Sequence, residues 1–290
     1  MVFLYSFCSL EKQTHILRSN ARKEAEIKVP VSNVDFGRTA DDYLMHRAGF
    51  PESLFQRLKL SGLGAATPYV VDLGTGTGTL GRGFAKQGCR VTGVDPAATM
   101  LDAARTIDVP LGLATKYLVG TAEETTLPDH SFDLVTAGQC WHWFDAEKAS
   151  SEIIRLLKPD GILLVAYYDW IPLTGNVVRR TEKLIEQHNP AWSGGNGTGI
   201  HPGLFRDLGE AGFTGIESFT YDEAAIYDHV AWRGRIRASA GIAATLDERA
   251  VQAFDTELAD LLSEHFPTEP MKVPHRVFAT LAKFEPEYDQ

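Results

Sequence analysis

The sequence predicts an α/β fold, a mostly parallel sheet of seven strands with helices on both faces. Two observations carry that expectation. Short apolar runs alternate with helix-like segments from residue 65 to residue 169, the pattern of successive strand–helix–strand crossovers. The first run also ends in a glycine cluster, DLGTGTGTLG at 72–81, where a strand-to-helix turn would let the backbone approach a ligand.

Each element follows in order. ATPYVVDLG (65–74) reads as a buried parallel strand and TLGRGFAKQG (79–88) as a helix closed by Gly88. CRVTGVD (89–95) is a second strand, and PAATMLDAARTI (96–107) a helix with proline in its first turn. KYLVG (116–120) and SFDLVTAG (131–138) are strands three and four. DAEKASSEIIRLLKPDG (145–161) is a helix opened by an Asp cap and closed before a Pro-Asp-Gly turn, and GILLVAYYD (161–169) the fifth strand. Past Asp169 the alternation breaks. A helix at 174–188 precedes a flexible SGGNGTG stretch (193–199) and a short helix at 202–213. A sixth strand at 215–227, helices at 229–241 and 247–266, and a seventh strand at 275–284 complete the chain. The last strand is expected to run antiparallel at the edge region.

The 290 residues, 44% hydrophobic and 23% charged, suit one large α/β domain with a helical insertion. A net charge of −10 argues against nucleic acid or a membrane surface as partner, because both need a basic face. Cys8, Cys89 and Cys140 show no CxxC spacing, which fits a reducing, cytoplasmic setting without disulfides. Residues 1–32 read as an extension outside the core. Its apolar VFLYSFCSL is too short to span a bilayer and has no basic segment before it.

The glycine loop admits two ligands. It satisfies GxGxxG through Gly76, Gly78 and Gly81, as in dinucleotide sites, and GxGxG through Gly74, Gly76 and Gly78. Asp72, two residues before the first glycine, would repel a pyrophosphate but suit a cationic head group. Asp95, at the end of the second strand, is placed to take both hydroxyls of a ribose.

VVDLGTGTGTL, VTGVDPAATML, GTAEETTLPDHSFDLVTAG and IIRLLKPDGILLV, in that order, resemble the successive motifs of class I S-adenosylmethionine-dependent methyltransferases. FGRTADDYLMHRAGFPESLFQRL (36–58) and WHWF are similar to the small-molecule branch that includes trans-aconitate methyltransferase. The resemblance implies a Rossmann-like fold whose seven-stranded, mostly parallel sheet carries a helical cap. It divides the chain into the extension (1–32), a cap-helix region (33–62), an S-adenosylmethionine-binding core (63–170), a helical cap and substrate region (171–272) containing the sixth strand, and a C-terminal strand and tail (273–290). The implied cofactor is S-adenosyl-L-methionine. Asp72, Gly74, Thr75, Gly76 and Gly78 would line its methionine and ribose side, with Asp95 on the ribose hydroxyls. Pro96 and Ala97 would meet the adenine face, Ala122 and Glu123 its edge, and Gln139 the methionine part. Many relatives carry Asp where this chain has Thr121.

Methyl transfer from a sulfonium needs alignment and dry surroundings, and a base only if the nucleophile carries a proton. His142 is the candidate base, since histidine titrates near neutrality, with a satisfied packing histidine as the alternative. Trp141 and Trp143 either enclose the sulfonium or substrate or serve as core aromatics; at a strand end their indoles would point opposite ways. Tyr43 and Arg47 share a helix face at i, i+4, and Tyr43 would reach the cofactor or substrate. Arg233 and Arg237 share another, either gripping an acidic substrate or forming a solvated face, with Arg235 turned away. His201 is a candidate lid residue. No metal-ligand spacing is present. The function expected is methylation of an oxygen or nitrogen of a small-molecule acceptor by a monomer or homodimer, with an acidic metabolite favoured. The alternatives are a nicotinamide-dinucleotide oxidoreductase and a non-catalytic S-adenosylmethionine-binding protein.

Overall fold

The computed structural model describes residues 49–60, 62–63, 68–239, 241–243 and 245–284. Within them eight helices surround a sheet of seven strands: α1 (Glu52–Leu60), β1 (Tyr69–Leu73), α2 (Thr79–Lys86), β2 (Arg90–Asp95), α3 (Ala98–Asp108), β3 (Lys116–Val119), β4 (Phe132–Gly138), α4 (Ala146–Leu156), β5 (Leu157–Trp170), α5 (Val177–His188), α6 (Gly203–Glu210), β6 (Thr214–Tyr227), α7 (His229–Arg237), α8 (Glu248–His265) and β7 (Met271–Lys283). The strand order is β3-β2-β1-β4-β5-β7-β6. The β1–β2, β1–β4, β2–β3 and β4–β5 pairs are parallel, and β7 is antiparallel to both its neighbours.

Side chains alternate between two cores, as the pleat requires. Leu134, Leu164, Ala166 and Tyr168 face the core shared with α1, α2, α5, α7 and α8. Val71, Leu73, Val135, Val165 and Tyr167 face the one shared with α4 and α6. Contact between α1 and α2 depends on Gly83, where an added Cβ would stand 1.9 Å from the Phe55 ring. Phe55 then meets Phe84 edge-on at 5.4 Å. Helices α4, α5, α7 and α8 open on Asp145, Asn176, Asp228 and Asp247, each accepting from the backbone N–H three residues on.

Three expectations are corrected. β7 lies inside the sheet, not at its edge, because Val277, Phe278, Ala279 and Thr280 are buried on both faces; β6, exposed along much of its length, takes the edge. β5 begins directly at Leu157, and the Pro-Asp-Gly turn is absorbed as an irregularity, the register jumping from Phe132↔Leu157 to Leu134↔Ile162. The glycine-rich stretch at 193–199 is tied down at two points. Asn196 N–H donates to Glu182 Oε2 at 3.0 Å, and Arg276 Nη1 to the Thr198 carbonyl at 2.9 Å.

One feature of register positions the site. β4 ends at Gly138, opposite Ala166 of β5. Tyr167, Tyr168, Asp169 and Trp170 continue past that row, paired only with Phe278, Val277, Arg276 and His275 of β7. A wall of β5, β7 and β6 therefore rises beyond the C-terminal edge of the parallel strands, the edge at which open α/β sheets bind ligands.

Candidate active site

The loop from β1 to α2 is built on left-handed backbone. Gly74, Gly76 and Gly78 have φ of +59°, +54° and +78°, a region that side chains enter only at a cost. Asp72 holds the loop from below. Its Oδ1 accepts from Thr136 Oγ1 at 2.6 Å, and its Oδ2 from Thr75 Oγ1 at 2.6 Å and from Gly81 N–H at 3.1 Å. With 1% of its surface exposed, the residue is a buried strut beneath the loop. Burial pushes its carboxyl above the usual carboxylate range, against the pull of those three donors.

A second buried group, not read from the sequence, braces the other end. Arg82 donates through Nε to Asp108 Oδ1 at 2.5 Å and through Nη2 to the Thr77 carbonyl at 2.8 Å. Tyr117 donates to Asp108 Oδ2 at 2.7 Å, and burial, then the Asp108 contact, raises its phenol well above the usual range. Sequence reading found no pattern here because the three residues come from α2, α3 and β3.

Asp95 faces the loop from the end of β2. Its Oδ2 accepts from Gly76 N–H at 2.8 Å and its Oδ1 from Ala97 N–H at 2.9 Å. Burial raises this carboxyl too, opposed by the two backbone donors. A carboxylate offers about four acceptor sites, so each oxygen keeps one for a further donor. That pair of acceptors suits the two hydroxyls of a vicinal diol. Pro96 and Ala97 follow directly. Ala122 is buried, and Glu123 accepts from Asp145 N–H at 3.0 Å at the head of α4. The segment between β3 and β4 is anchored through Thr125, whose N–H and hydroxyl both reach Glu152 Oε1. Arg155, ahead of the opposing effect of burial, then holds the Glu152 carboxyl down at about 2.

Past β4 the chain turns sharply. Gln139 adopts φ of +62° and spends its amide on β5, Nε2 donating to the Tyr168 carbonyl at 2.6 Å. Trp141–Trp143 form a single 3-10 turn rather than a strand end, so the three rings fan out about 120° apart. Trp141 is 4% exposed and donates from Nε1 to Asp207 Oδ2 at 3.2 Å, a core role. Trp143 is half-buried and His142 exposed; the imidazole lies 4.9 Å from Trp143 and 6.2 Å from Tyr167. This turn abuts the glycine loop, since an added Cβ on Gly74 would stand 2.9 Å from Cys140 Sγ and 3.2 Å from Phe144.

The remaining candidates separate. Arg233 and Arg237 both donate to Asp255 of α8, Arg237 Nη1 at 2.6 Å, and so clamp α7 to α8. Burial would raise Asp255, but the two guanidiniums outweigh it and hold the carboxyl low. Arg235 lies over Trp170 at 4.8 Å. His201 returns from the glycine-rich stretch to Asp169, Nε2 to Oδ2 at 2.8 Å, and stacks on Tyr167 at 3.6 Å. Tyr43 and Arg47 lie outside the described residues. Among the described residues no cluster of His, Cys, Asp and Glu could hold a metal ion, and no helix is long and apolar enough to cross a membrane.

The sheet order, the left-handed glycine loop and the acidic residue closing β2 are those of the class I methyltransferase fold. Residues 71–165 match the family model described as a methyltransferase domain. An uncharacterized methyltransferase of Mycobacterium tuberculosis is 35% identical over 154 residues, 51% of this chain and 60% of that protein. A malonyl-[acyl-carrier protein] O-methyltransferase of Serratia marcescens is 35% identical over 109 residues, 37% of this chain and 41% of that protein. The chain thus spans less than two thirds of the curated relatives it matches. In fold it is similar to the crystal structure of the YcgJ protein from Bacillus subtilis, with a TM-score of 0.52 at 21% identity, covering 80% of this chain and 98% of that one.

Proposed function

We propose that this chain transfers a methyl group from S-adenosyl-L-methionine to an oxygen or nitrogen of a small molecule. The observation that carries the reading is Asp95. Its two oxygens are fixed by Gly76 and Ala97 N–H beside a left-handed glycine loop, with acceptor capacity left for two ribose hydroxyls. On this reading Thr75, Pro96, Ala122 and Glu123 would hold the rest of the nucleoside. The cofactor, when bound, supplies an electrophilic methyl on a sulfonium. What the chain's own residues contribute is alignment: the strut on Asp72 and the brace on Arg82 keep the loop rigid, which is where much of the rate of a displacement reaction originates.

The Serratia protein, by its name, methylates an acyl-carrier-bound malonyl group, which supports a carboxylate as one acceptor class. Among the described residues, the two arginines read as candidates for gripping such an acid, Arg233 and Arg237, are engaged by Asp255. An acceptor that loses a proton on methylation therefore fits better.

Titration calorimetry with S-adenosylhomocysteine tests the reading. Tight binding is expected, and Asp95→Ala removes hydrogen bonds to a charged group worth about 1.5–3 kcal/mol each, weakening affinity at least about tenfold. Binding of a nicotinamide dinucleotide in place of S-adenosylhomocysteine would instead identify an oxidoreductase.

A further inference from the structure

The Asp169–His201 pair has the geometry of a proton acceptor. Nε2 of His201 lies 2.8 Å from Asp169 Oδ2, with the two side chains 28% and 29% exposed. An ionised carboxylate only accepts, so the hydrogen sits on Nε2 and the lone pair on Nδ1. Among the described residues Nδ1 has no hydrogen-bond partner. The ring cannot swing freely, because it lies 3.6 Å from Tyr167 at 13° and 5.5 Å from Phe278. A nucleophile or base oriented by a third group is the usual arrangement of proton-abstracting sites.

Position agrees with chemistry. Tyr167 is the first residue of β5 past the row that joins Gly138 to Ala166, so the His201 ring lies at the C-terminal edge of the sheet. His142 lies nearly parallel to the same tyrosine at 6.2 Å, and the turn that carries His142 packs on Gly74 at its other end. The pair is thereby connected through one short turn to the glycine loop.

The surroundings select an acceptor. Asp169 on β5 faces Arg276 on β7 in register, but Arg276 is held by Asp222 of β6 and by the Thr198 carbonyl. A carboxylate acceptor would meet the Asp169 charge with that guanidinium already engaged. The rings around His201 are flat and apolar: Tyr167 and Phe278, both buried, and Phe205, 38% exposed against Phe278. We infer that His201, oriented by Asp169, accepts the proton of an aromatic hydroxyl that this enzyme methylates; the inference rests on the methyltransferase reading above. The acceptor O–H gives its proton to Nδ1, and an oxygen lone pair forms the new C–O bond. The methyl–sulfur bond breaks with its electron pair going to sulfur, which passes from sulfonium to neutral thioether. The imidazolium is balanced by Asp169 and returns its proton to water.

The probe is 4-nitrophenol, whose ionised form is coloured, added to the full chain saturated with S-adenosylhomocysteine. Bound phenolate is expected in the wild type and not in His201→Ala. With S-adenosylmethionine, kcat for unsubstituted phenol, which stays protonated near neutrality, falls about 10²–10⁴-fold in His201→Ala, with KM little changed. Asp169→Asn lowers kcat in the same direction while both variants keep their affinity for S-adenosylhomocysteine, which separates lost chemistry from lost folding. Nitrogen NMR of the imidazole should show the Nε2–H tautomer. Either the Nδ1–H tautomer, or methylation of malonate undiminished by His201→Ala, overturns the inference. So does a wild type that binds S-adenosylhomocysteine but neither binds nor methylates 4-nitrophenol. Failure to bind S-adenosylhomocysteine at all sinks the methyltransferase reading instead.

Discussion

At the scale of single residues, the two aspartates that hold the glycine loop, Asp72 of β1 and Asp95 of β2, have opposite duties. Asp95 keeps acceptor capacity toward the ligand space, whereas Asp72 is buried beneath the loop with its oxygens turned to Thr75, Thr136 and Gly81. Asp72→Ala leaves a buried N–H and two hydroxyls without their acceptor, at about 1–3 kcal/mol for each group left unpaired. Urea unfolding should show the loss, together with weakened S-adenosylhomocysteine binding although the side chain is buried beneath the loop. Asp72→Asn keeps Oδ1 for Gly81 and Thr75 and lets Thr136 accept from the amide, so it should fold. It also changes the pH response. Because burial raises the native carboxyl of Asp72 above its unfolded value, the native state binds more protons in that interval, and stability falls as pH rises from about 3.9 through the native pKa. The Asn variant lacks this decline. Melting curves from pH 4 to pH 7 in which both proteins change in parallel would contradict the assignment.

At the scale of elements, α7 is bound to α8 by charge, and α4 is bound to the segment between β3 and β4 in the same manner. Asp255→Ala leaves two guanidiniums without their carboxylate and separates α7 from α8, which should cost about 1–3 kcal/mol. If the pair Arg233–Arg237 is a clamp and not a grip on substrate, Arg233→Ala lowers stability while leaving KM for any acceptor unchanged; a raised KM would restore the substrate role. For α4, Glu152 is depressed to about 2 chiefly by Arg155. Its contribution is present above the unfolded value near 4.3 and is lost as pH falls from there toward 2. Acid titration of Glu152→Gln should show a smaller loss across that interval than the wild type.

These elements also show what a sequence makes legible. The Asp145 cap and the glycine loop were readable because each is local: an Asp at the head of a helical run, or glycines at a strand end. Asp95 was readable for the same reason. The Arg82–Asp108–Tyr117 brace and the Asp255 clamp were not, since their members lie 9 to 26 residues apart in the chain and no period marks them. His201 illustrates the intermediate case. Its place after a glycine-rich stretch was visible, but its partner Asp169 lies 32 residues away and only strand register reveals that they meet.

At the scale of the molecule, the decisive feature is that the last strand enters the sheet interior. β7 is contributed by the C-terminal end of the chain, yet it joins β5 to β6 along almost its whole length. The sheet therefore has its edges at β3 and β6, elements from the middle of the sequence. β3 is short and exposed on most of its residues, and β6 bends away at Gly215 near an irregular register, both ways of blunting an edge. Proteins open locally at their least buried elements and globally at their cores. Native-state hydrogen exchange should accordingly find the slowest amides in β1, β4, β5 and residues 277–282 of β7, exchanging with the global unfolding free energy. Amides of β3 and of the outer row of β6 should exchange by local opening at lower cost. If β7 behaved as an ordinary C-terminal strand, fraying from its end, residues 277–282 would exchange with β3 and independently of β5. Co-exchange of β7 with β5 would show that the wall bearing Tyr167 and Asp169 is as permanent as the glycine loop it faces, and that the site is preformed rather than assembled on binding.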